Sequence, residues 1–293
     1  MVILRSWMFV PGDSEKKIGK GASLGADVLI LDLEDSVVAA RKPRAREMVC
    51  EYLQTADRSI SQLWVRMNPL DTPHALKDLA GVMQGRPDGF FLPKAGHARD
   101  ADLLSNYLDA LETAHGIERG ATKILSLVTE TPRAMLNIGS YTEVNPRLTA
   151  VSWGAEDLSA AIGASTNRDE QGNLTSPYIL ARILCLMAAY AAGVQAVDTA
   201  FTDFKDEVGL RLNCNEARRD GFLGKIAIHP AQVAPINDAF MPSHAEIERA
   251  RAVVELFAQN LDEGTLSLDG KMLDKPHLTQ AERVLAIAAQ FGE

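Results

Sequence analysis

Short, largely apolar runs recur along the chain at residues 6–10, 28–33, 63–67, 89–92, 124–128, 148–153, 196–201 and 225–228. Such runs are expected of strands covered on both faces. The segments between them have helical spacing or helix-forming composition. Leu103, Tyr107, Leu108 and Leu111 form one apolar stripe, and Ile179, Ile183, Leu184, Met187 and Ala188 form another. A stripe of this kind is the side that a helix turns toward its core. Eight strands alternating with helices predict an α/β chain of the (β/α)8 TIM-barrel class, with an open doubly wound sheet as the runner-up. No GxGxxG follows a strand and no GxxxxGK[ST] occurs, so nothing favours a nucleotide-binding version of the open sheet.

The texture changes after Ile228. Pro242, Ser243 and Glu246 make a capping-box pattern that opens an amphipathic helix reaching about Asn260. A turn-rich stretch at 264–270 follows, and Pro276 reads as the first-turn proline of a last helix. This divides the chain into a barrel at 1–238 and a helical lid extension at 239–293. A tail of roughly 50 residues is small for a domain of its own. It is expected to pack on the barrel or on a neighbouring subunit.

Composition narrows the function classes. Of 293 residues, 46% are hydrophobic and 24% charged, an ordinary globular balance. No apolar stretch is long enough to span a bilayer, and the first residues lack the order of a signal peptide. A cytoplasmic location is expected, with no membrane partner. The net charge of −9 argues against a broad nucleic-acid surface. Cys50, Cys185 and Cys214 are widely spaced, so reduced, mostly buried thiols are expected rather than a disulfide framework or a zinc site.

Catalytic groups of a barrel lie at the C-terminal ends of its strands. Those ends carry Pro11-Gly12-Asp13, Asp32-Leu33-Glu34-Asp35, Arg66-Met67-Asn68, Pro93-Lys94, Glu130-Thr131, Gly154-Ala155-Glu156-Asp157, Asp203 and His229-Pro230. This ring is dense in carboxylates, with one arginine and one lysine. Glu130 and Asp157, after adjacent strands, are the natural pair for a hard cation, since magnesium takes one or two carboxylates plus water and substrate. Only one histidine, His229, stands at a strand end, which disfavours zinc. Lys16 and Lys20 follow strand 1 at i,i+4 spacing. Arg41, Lys42, Arg44 and Arg46 follow strand 2. Both groups open barrel helices, where a ligand with several phosphates fits as well as a solvated helix face does.

The segments RSWMFVPG, ILDLEDSV, VRMN, LPKA, TET, WGAEDL, IHPAQV and DGKMLDKP occur in this order between residue 5 and about 276. As a set they resemble the citrate lyase β-subunit-like branch of the HpcH/HpaI aldolase superfamily. VPGDSEKKIGK and FTDFKDEVGL look closest to its citramalyl-CoA and malyl-CoA lyases. The family often has glycine after LDLED, where this chain has Ser36.

The resemblance implies a magnesium-dependent barrel (manganese being an alternative) in homotrimers or hexamers with shared active sites. It implies cleavage of a hydroxyacyl-CoA to acetyl-CoA and a 2-oxo acid. Glu130 and Asp157 would be the metal ligands. Arg66 would meet the substrate at the reacting centre, with Glu34 orienting it and Lys94 also binding substrate. Lys16 and Lys20 would hold coenzyme A phosphates, with His229 and Pro230 lining the same cleft. Asp274 would be the acid/base, carried into a neighbour's site by the tail. The rivals are a citryl-thioester lyase subunit of a citrate lyase complex, a synthase-thioesterase activity on malyl or citramalyl thioesters, a pyruvate aldolase and a non-catalytic barrel.

Overall fold

The computed structural model of the chain describes residues 2–142 and 145–292; Met1 and Glu293, the outer ends of the two predicted segments, lie outside them. Eight parallel strands close in chain order into the predicted barrel. They are β1 (Ser6–Pro11), β2 (Val28–Asp32), β3 (Gln62–Arg66), β4 (Gly89–Leu92), β5 (Lys123–Leu127), β6 (Leu148–Ser152), β7 (Gln195–Asp198) and β8 (Gly224–Ala227). Pairing of Trp7 with Ile226 and Met8 with Ala227 joins β8 to β1 and leaves no open edge. The helices between and after the strands are α1 (Glu15–Gly21), α2 (Lys42–Thr55), α3 (Ala75–Val82), α4 (Ala98–Ala114), α5 (Pro132–Asn137), α6 (Ala155–Ile162), α7 (Ser176–Ala192), α8 (Glu207–Asp220) and α9 (Val233–Ala239).

Alternation along each strand sorts its side chains into two sets. Trp7, Val28, Ile30, Trp64, Phe91, Leu125, Leu127, Ala150, Val197 and Ile226 form one buried cluster. The intervening residues, such as Leu29 and Leu31, are equally buried. Two tryptophans pack edge to face in the cluster, Trp7 on Trp64 at 5.0 Å between ring centroids. Gly89 makes room for them, because a Cβ there would come within 2.5 Å of the Trp64 ring.

One prediction about a helix is corrected. The stripe of Ile179, Ile183 and Met187 does not face the barrel. α7 buries Tyr178, Ala181, Cys185 and Ala189 instead; of the predicted stripe only Ala188 is buried, Leu184 is half-buried, and Ile179, Ile183 and Met187 are exposed. Periodicity alone finds apolar positions on a helix; it does not say which face is inward when both are apolar.

The chain falls into two compact units, Leu4–Asn237 and Met1–Ile3 with Asp238–Glu293. The second holds α10 (His244–Gln259), a hairpin of β9 (Leu266–Leu268) and β10 (Lys271–Leu273), and α11 (Lys275–Gln290). Ser243 caps α10 as the sequence pattern implies: its hydroxyl accepts from the Glu246 N–H, and the Glu246 carboxylate accepts from the Ser243 N–H. The hairpin turns at Asp269 and Gly270, both left-handed at φ 52° and 74°, which is the two-residue turn matched to strand twist. Ala250, Val253, Phe257, Leu273 and Ala281 give this unit its own small core. Ile3 joins it through a pair of hydrogen bonds with the Gln290 side chain. All three cysteines are free, Cys185 and Cys214 buried and Cys50 half-buried. Among the described residues, no helix is long and apolar enough to cross a membrane.

Candidate active site

Asp32, Glu34, Arg66, Lys94, Glu130 and Asp157, at the C-terminal ends of β2 to β6, form a connected network. Arg66 ends β3 beside Asp32, the last residue of β2, because the parallel register pairs the two. The guanidinium donates Nε–H and Nη2–H to the two Asp32 carboxylate oxygens, both at 2.7 Å, a bidentate fork. Its Nη1 lies 3.1 Å from Glu34 Oε2, and its Cζ sits 4.4 Å from the centre of the Phe9 ring. Arg66 is thus held on three sides. Burial favours the neutral form of both partners, but the carboxylates keep Arg66 charged, and the guanidinium keeps the Asp32 carboxyl below the usual range.

Lys94 is the second centre. It adopts a left-handed conformation at φ 52°, uncommon for a residue with a side chain. There its N–H donates to Glu130 Oε2 at 2.6 Å, while its ammonium donates to Glu34 Oε1 at 2.6 Å and lies 3.1 Å from Asp157 Oδ1. One residue therefore touches three of the four predicted site carboxylates. Glu34 is buried, which raises its pKa against the pull of Arg66 and Lys94. Its Oε2 has no hydrogen-bond partner among the described residues.

Glu130 lies just beyond β5 and is almost fully buried. Burial, and then the charge of Asp157, push its carboxyl well above the ordinary range. A Cβ at Gly154 would stand 2.9 Å from Glu130 Cγ, so glycine at that position leaves room for this side chain. Asp157 lies in the first turn of α6, and its neighbour Glu156 turns away to Asn167 at 2.8 Å. A buried carboxylate destabilised by a nearby second one is the arrangement that a cation relieves. Among the described residues, no group of three or more His, Cys, Asp or Glu side chains is arranged to hold a metal. A cation held by Glu130 and Asp157 would therefore draw its other ligands from water and substrate, which suits magnesium.

The predicted phosphate-binding residues separate into two groups. Lys16 and Lys20 lie exposed on α1. The basic group after β2 is instead engaged in the fold. The Lys42 ammonium donates to the Leu33 and Glu34 carbonyls at 2.8 Å each, fixing the loop that carries Glu34. Arg46 pairs with Asp78 at 2.7 Å, Arg41 with Asp13 at 3.2 Å and Arg44 with Glu47 at 2.9 Å. His229 follows β8 and accepts the Ala231 N–H at Nδ1, its ring stacked on Phe204 at 4.7 Å; Pro230 beside it is exposed.

Asp274 belongs to the second unit, in the link between β10 and α11. Its carboxylate lies 2.5 Å from His277 Nδ1, and both side chains are partly exposed. The residue missed from the sequence is Asp32. Three carboxylates stand in LDLED, and Glu34 is the one assigned to Arg66. The pairing of the last residues of β2 and β3 is the signal that points to Asp32.

This constellation on a closed barrel can be set beside known proteins. The profile of the HpcH/HpaI aldolase/citrate lyase family matches residues 5–230. The chain belongs to that family. HpcH/HpaI relatives align over almost all of it. The (3S)-malyl-CoA thioesterase of Cereibacter sphaeroides (strain KD131) is 34% identical over 97% of this chain and 94% of its own. The mitochondrial citramalyl-CoA lyase of Rattus norvegicus is 33% identical over 99% of this chain and 87% of its own. The crystal structure of CitE from Mycobacterium tuberculosis, in complex with magnesium, acetoacetate and coenzyme A, superposes with a TM-score of 0.79 at 30% identity, covering 98% of each chain.

Proposed function

We propose that this chain cleaves a carbon–carbon bond in a small hydroxyacyl thioester of coenzyme A, citramalyl-CoA or malyl-CoA, releasing acetyl-CoA and a 2-oxo acid. The observation that carries the reading is the buried network at the strand ends, where Arg66 and Lys94 are held by carboxylates beside the Glu130–Asp157 pair. A relative named citramalyl-CoA lyase and a neighbour bound to magnesium and coenzyme A support it.

In this reading Glu130 and Asp157 hold Mg2+, with Mn2+ as a substitute. The ion lowers the pKa of the substrate hydroxyl and steadies the carbonyl that forms there. The chain's own groups do the rest. Arg66, fixed by Asp32 and Glu34, directs its remaining N–H donors at oxygen charge that develops as the bond breaks. Lys94 balances the substrate carboxylate from the other side. The hydroxyl proton leaves to water as the carbonyl forms, the bonding pair passes to the thioester as an enolate, and Asp274, protonated from solvent, delivers a proton to the enolate carbon. Lys16 and Lys20 bind coenzyme A phosphates far from the reacting atoms, with His229 and Pro230 along the same path. Asp274 comes from a neighbouring copy, which makes the working unit a homo-oligomer, a trimer or hexamer.

A second reading is hydrolysis of the thioester itself, favoured by the relative named (3S)-malyl-CoA thioesterase. One assay separates the readings. Purified protein with Mg2+ is given malyl-, citramalyl- and citryl-CoA, and products are identified by mass spectrometry. Acetyl-CoA with a 2-oxo acid, lost on adding EDTA, is the expected result. Free coenzyme A with the intact hydroxy acid indicates hydrolysis. Inactivity on every CoA thioester, with turnover of a citryl thioester on an acyl carrier protein, indicates a subunit of a citrate lyase complex.

A further inference from the structure

Asp198 is a fully buried carboxylate that takes no part in the proposed chemistry. It ends β7 beside Lys225 of β8, its partner in the parallel register. Their strand neighbours Val197 and Ile226 belong to the inner cluster, so alternation turns Asp198 and Lys225 to the outer side of the sheet. Asp198 Oδ2 accepts from the Lys225 ammonium at 2.7 Å, and Oδ1 accepts from the Trp153 indole N–H at 2.7 Å. Arg182 of α7 lies 3.5 Å from Oδ1. Asp198, Lys225 and Trp153 are each no more than 1% exposed. Burial opposes charge on Asp198, yet Lys225 and Arg182 hold its carboxyl below the ordinary range, so both oxygens stay acceptors. A buried ion pair is weak evidence for stability, because apolar side chains of the same volume often do as well or better. What this pair does fix is the direction of one N–H donor, the Trp153 indole.

We propose that Asp198, clamped by Lys225, positions the metal ligand Asp157 through Trp153. The inference rests on Glu130 and Asp157 being the magnesium site. Trp153 is the first residue after β6, and Asp157 follows in the first turn of α6. The ladder between β5 and β6 holds as far as the Val128 N–H, which donates to the Ser152 carbonyl at 2.9 Å. Both metal-bearing segments begin past that bond. There the Gly154 N–H donates to Thr129 Oγ1 at 3.3 Å, a long hydrogen bond to a neutral acceptor. The 2.7 Å bond from the Trp153 indole to a buried, charged acceptor is the stronger tie. It fixes the ring, and the ring fixes the angle at which the chain turns into α6 and brings Asp157 toward Glu130. The two ligands differ in how much they need this. Glu130 is almost fully buried just beyond β5, whereas the Asp157 side chain is 31% exposed on a helix of eight residues. A metal site needs its ligands held to within about 0.5 Å, so Asp157 is the one whose place depends on an outside anchor.

Mg2+ affinity of the full chain, measured by calorimetry without substrate, tests this role apart from turnover. Trp153→Phe keeps an aromatic ring and removes the indole N–H. It should bind Mg2+ about 10-fold more weakly, the lower end of what losing a group that orients a ligand costs. Asp198→Asn should weaken Mg2+ binding in the same direction. The double variant should bind no more weakly than the weaker single, because both act through one bond. Arg147→Met breaks the buried pair with Glu112 at the opposite end of β6, and should lower Tm while leaving Mg2+ affinity unchanged. Wild-type affinity in Trp153→Phe would overturn the proposal, as would an equal loss in Arg147→Met. Additive losses in the double variant would overturn the route through Trp153. Should one of the two single variants misfold, the affinity of the other decides. A wild-type chain that binds no Mg2+ is a different failure: it removes the magnesium site itself, and the proposal with it.

Discussion

Asp32→Asn perturbs the site at the point where its geometry is tightest. Asp32 is 1% exposed and accepts two charge-assisted hydrogen bonds from Arg66, as well as the backbone N–H groups of Glu34 and Ser36. Asparagine preserves the volume and one acceptor oxygen but loses the charge and turns the other oxygen into a donor. A hydrogen bond to a charged group contributes about 1.5–3 kcal/mol, and removing one partner of a buried ion pair costs about 3–5 kcal/mol. Glu34, 3.1 Å from the guanidinium, still balances Arg66 in part, so the expected loss is at the low end, about 3 kcal/mol. For a unit of this size that is a fall in Tm of about 6–12 °C. The loss is measured by thermal and urea unfolding followed by circular dichroism. Adding Arg66→Met to Asp32→Asn should recover part of it, because the uncompensated charge is then gone. A single variant that loses less than about 1 kcal/mol, or a double-mutant cycle with no coupling, would refute the idea that Asp32 clamps Arg66.

Three further outcomes follow from the same geometry. Glu130→Gln should bind Mg2+ far more weakly than the wild type in calorimetry while unfolding at no lower temperature, because a destabilised buried carboxylate is replaced by a neutral group; equal affinity would remove Glu130 from the metal site. Glu112 is buried and hydrogen-bonded to Arg147 at 2.7 Å and to the N–H groups of Gly120 and Thr122, which lowers its pKa from 4.5 to about 2 despite burial. A carboxyl depressed in the folded state contributes stability that is present above the unfolded pKa and lost as pH falls toward the folded one, so on the order of 3 kcal/mol should disappear between pH 4.5 and about 2. Urea melts across that window should show a shallower loss in Arg147→Met, and equal slopes would count against the pairing. Asp274→Asn should lower kcat sharply with little change in Tm, since the Asp274 side chain is partly exposed against His277 and asparagine fills the same place but is a poor acid; an unchanged kcat would take Asp274 out of the chemistry.

Much of the barrel was legible in the chain. A strand buried on both faces needs no alternation, so the eight apolar runs mark β1 to β8 to within one residue except at the end of β7, where the run to residue 201 overshoots Asp198 by three. The charged strand ends stood out for the same reason, as polar residues closing apolar runs. Pairing between them was harder to read. Asp32 and Glu34 lie two apart and point the same way, and only the register of β2 against β3 shows that Asp32 takes the fork of Arg66. The cluster from Arg41 to Arg46 fits an anion site or a solvated helix face equally; Glu47 is legible as the i,i+3 partner of Arg44, but a linear sequence does not show that Asp13 and Asp78 lie beside Arg41 and Arg46. α7 misled for a physical reason: apolar side chains line both of its faces, and periodicity does not distinguish the one that packs on the barrel.

The proposed reaction turns on breaking a bond between two carbons. It is tested most directly by following 2-oxo acid and free thiol in the same reaction, with citramalyl-CoA or malyl-CoA as substrate and Mg2+ present. The 2-oxo acid should appear in step with acetyl-CoA while free thiol stays at its background level, and both products should vanish in Glu130→Gln. Release of thiol at the rate of substrate loss, with no 2-oxo acid formed, would contradict it.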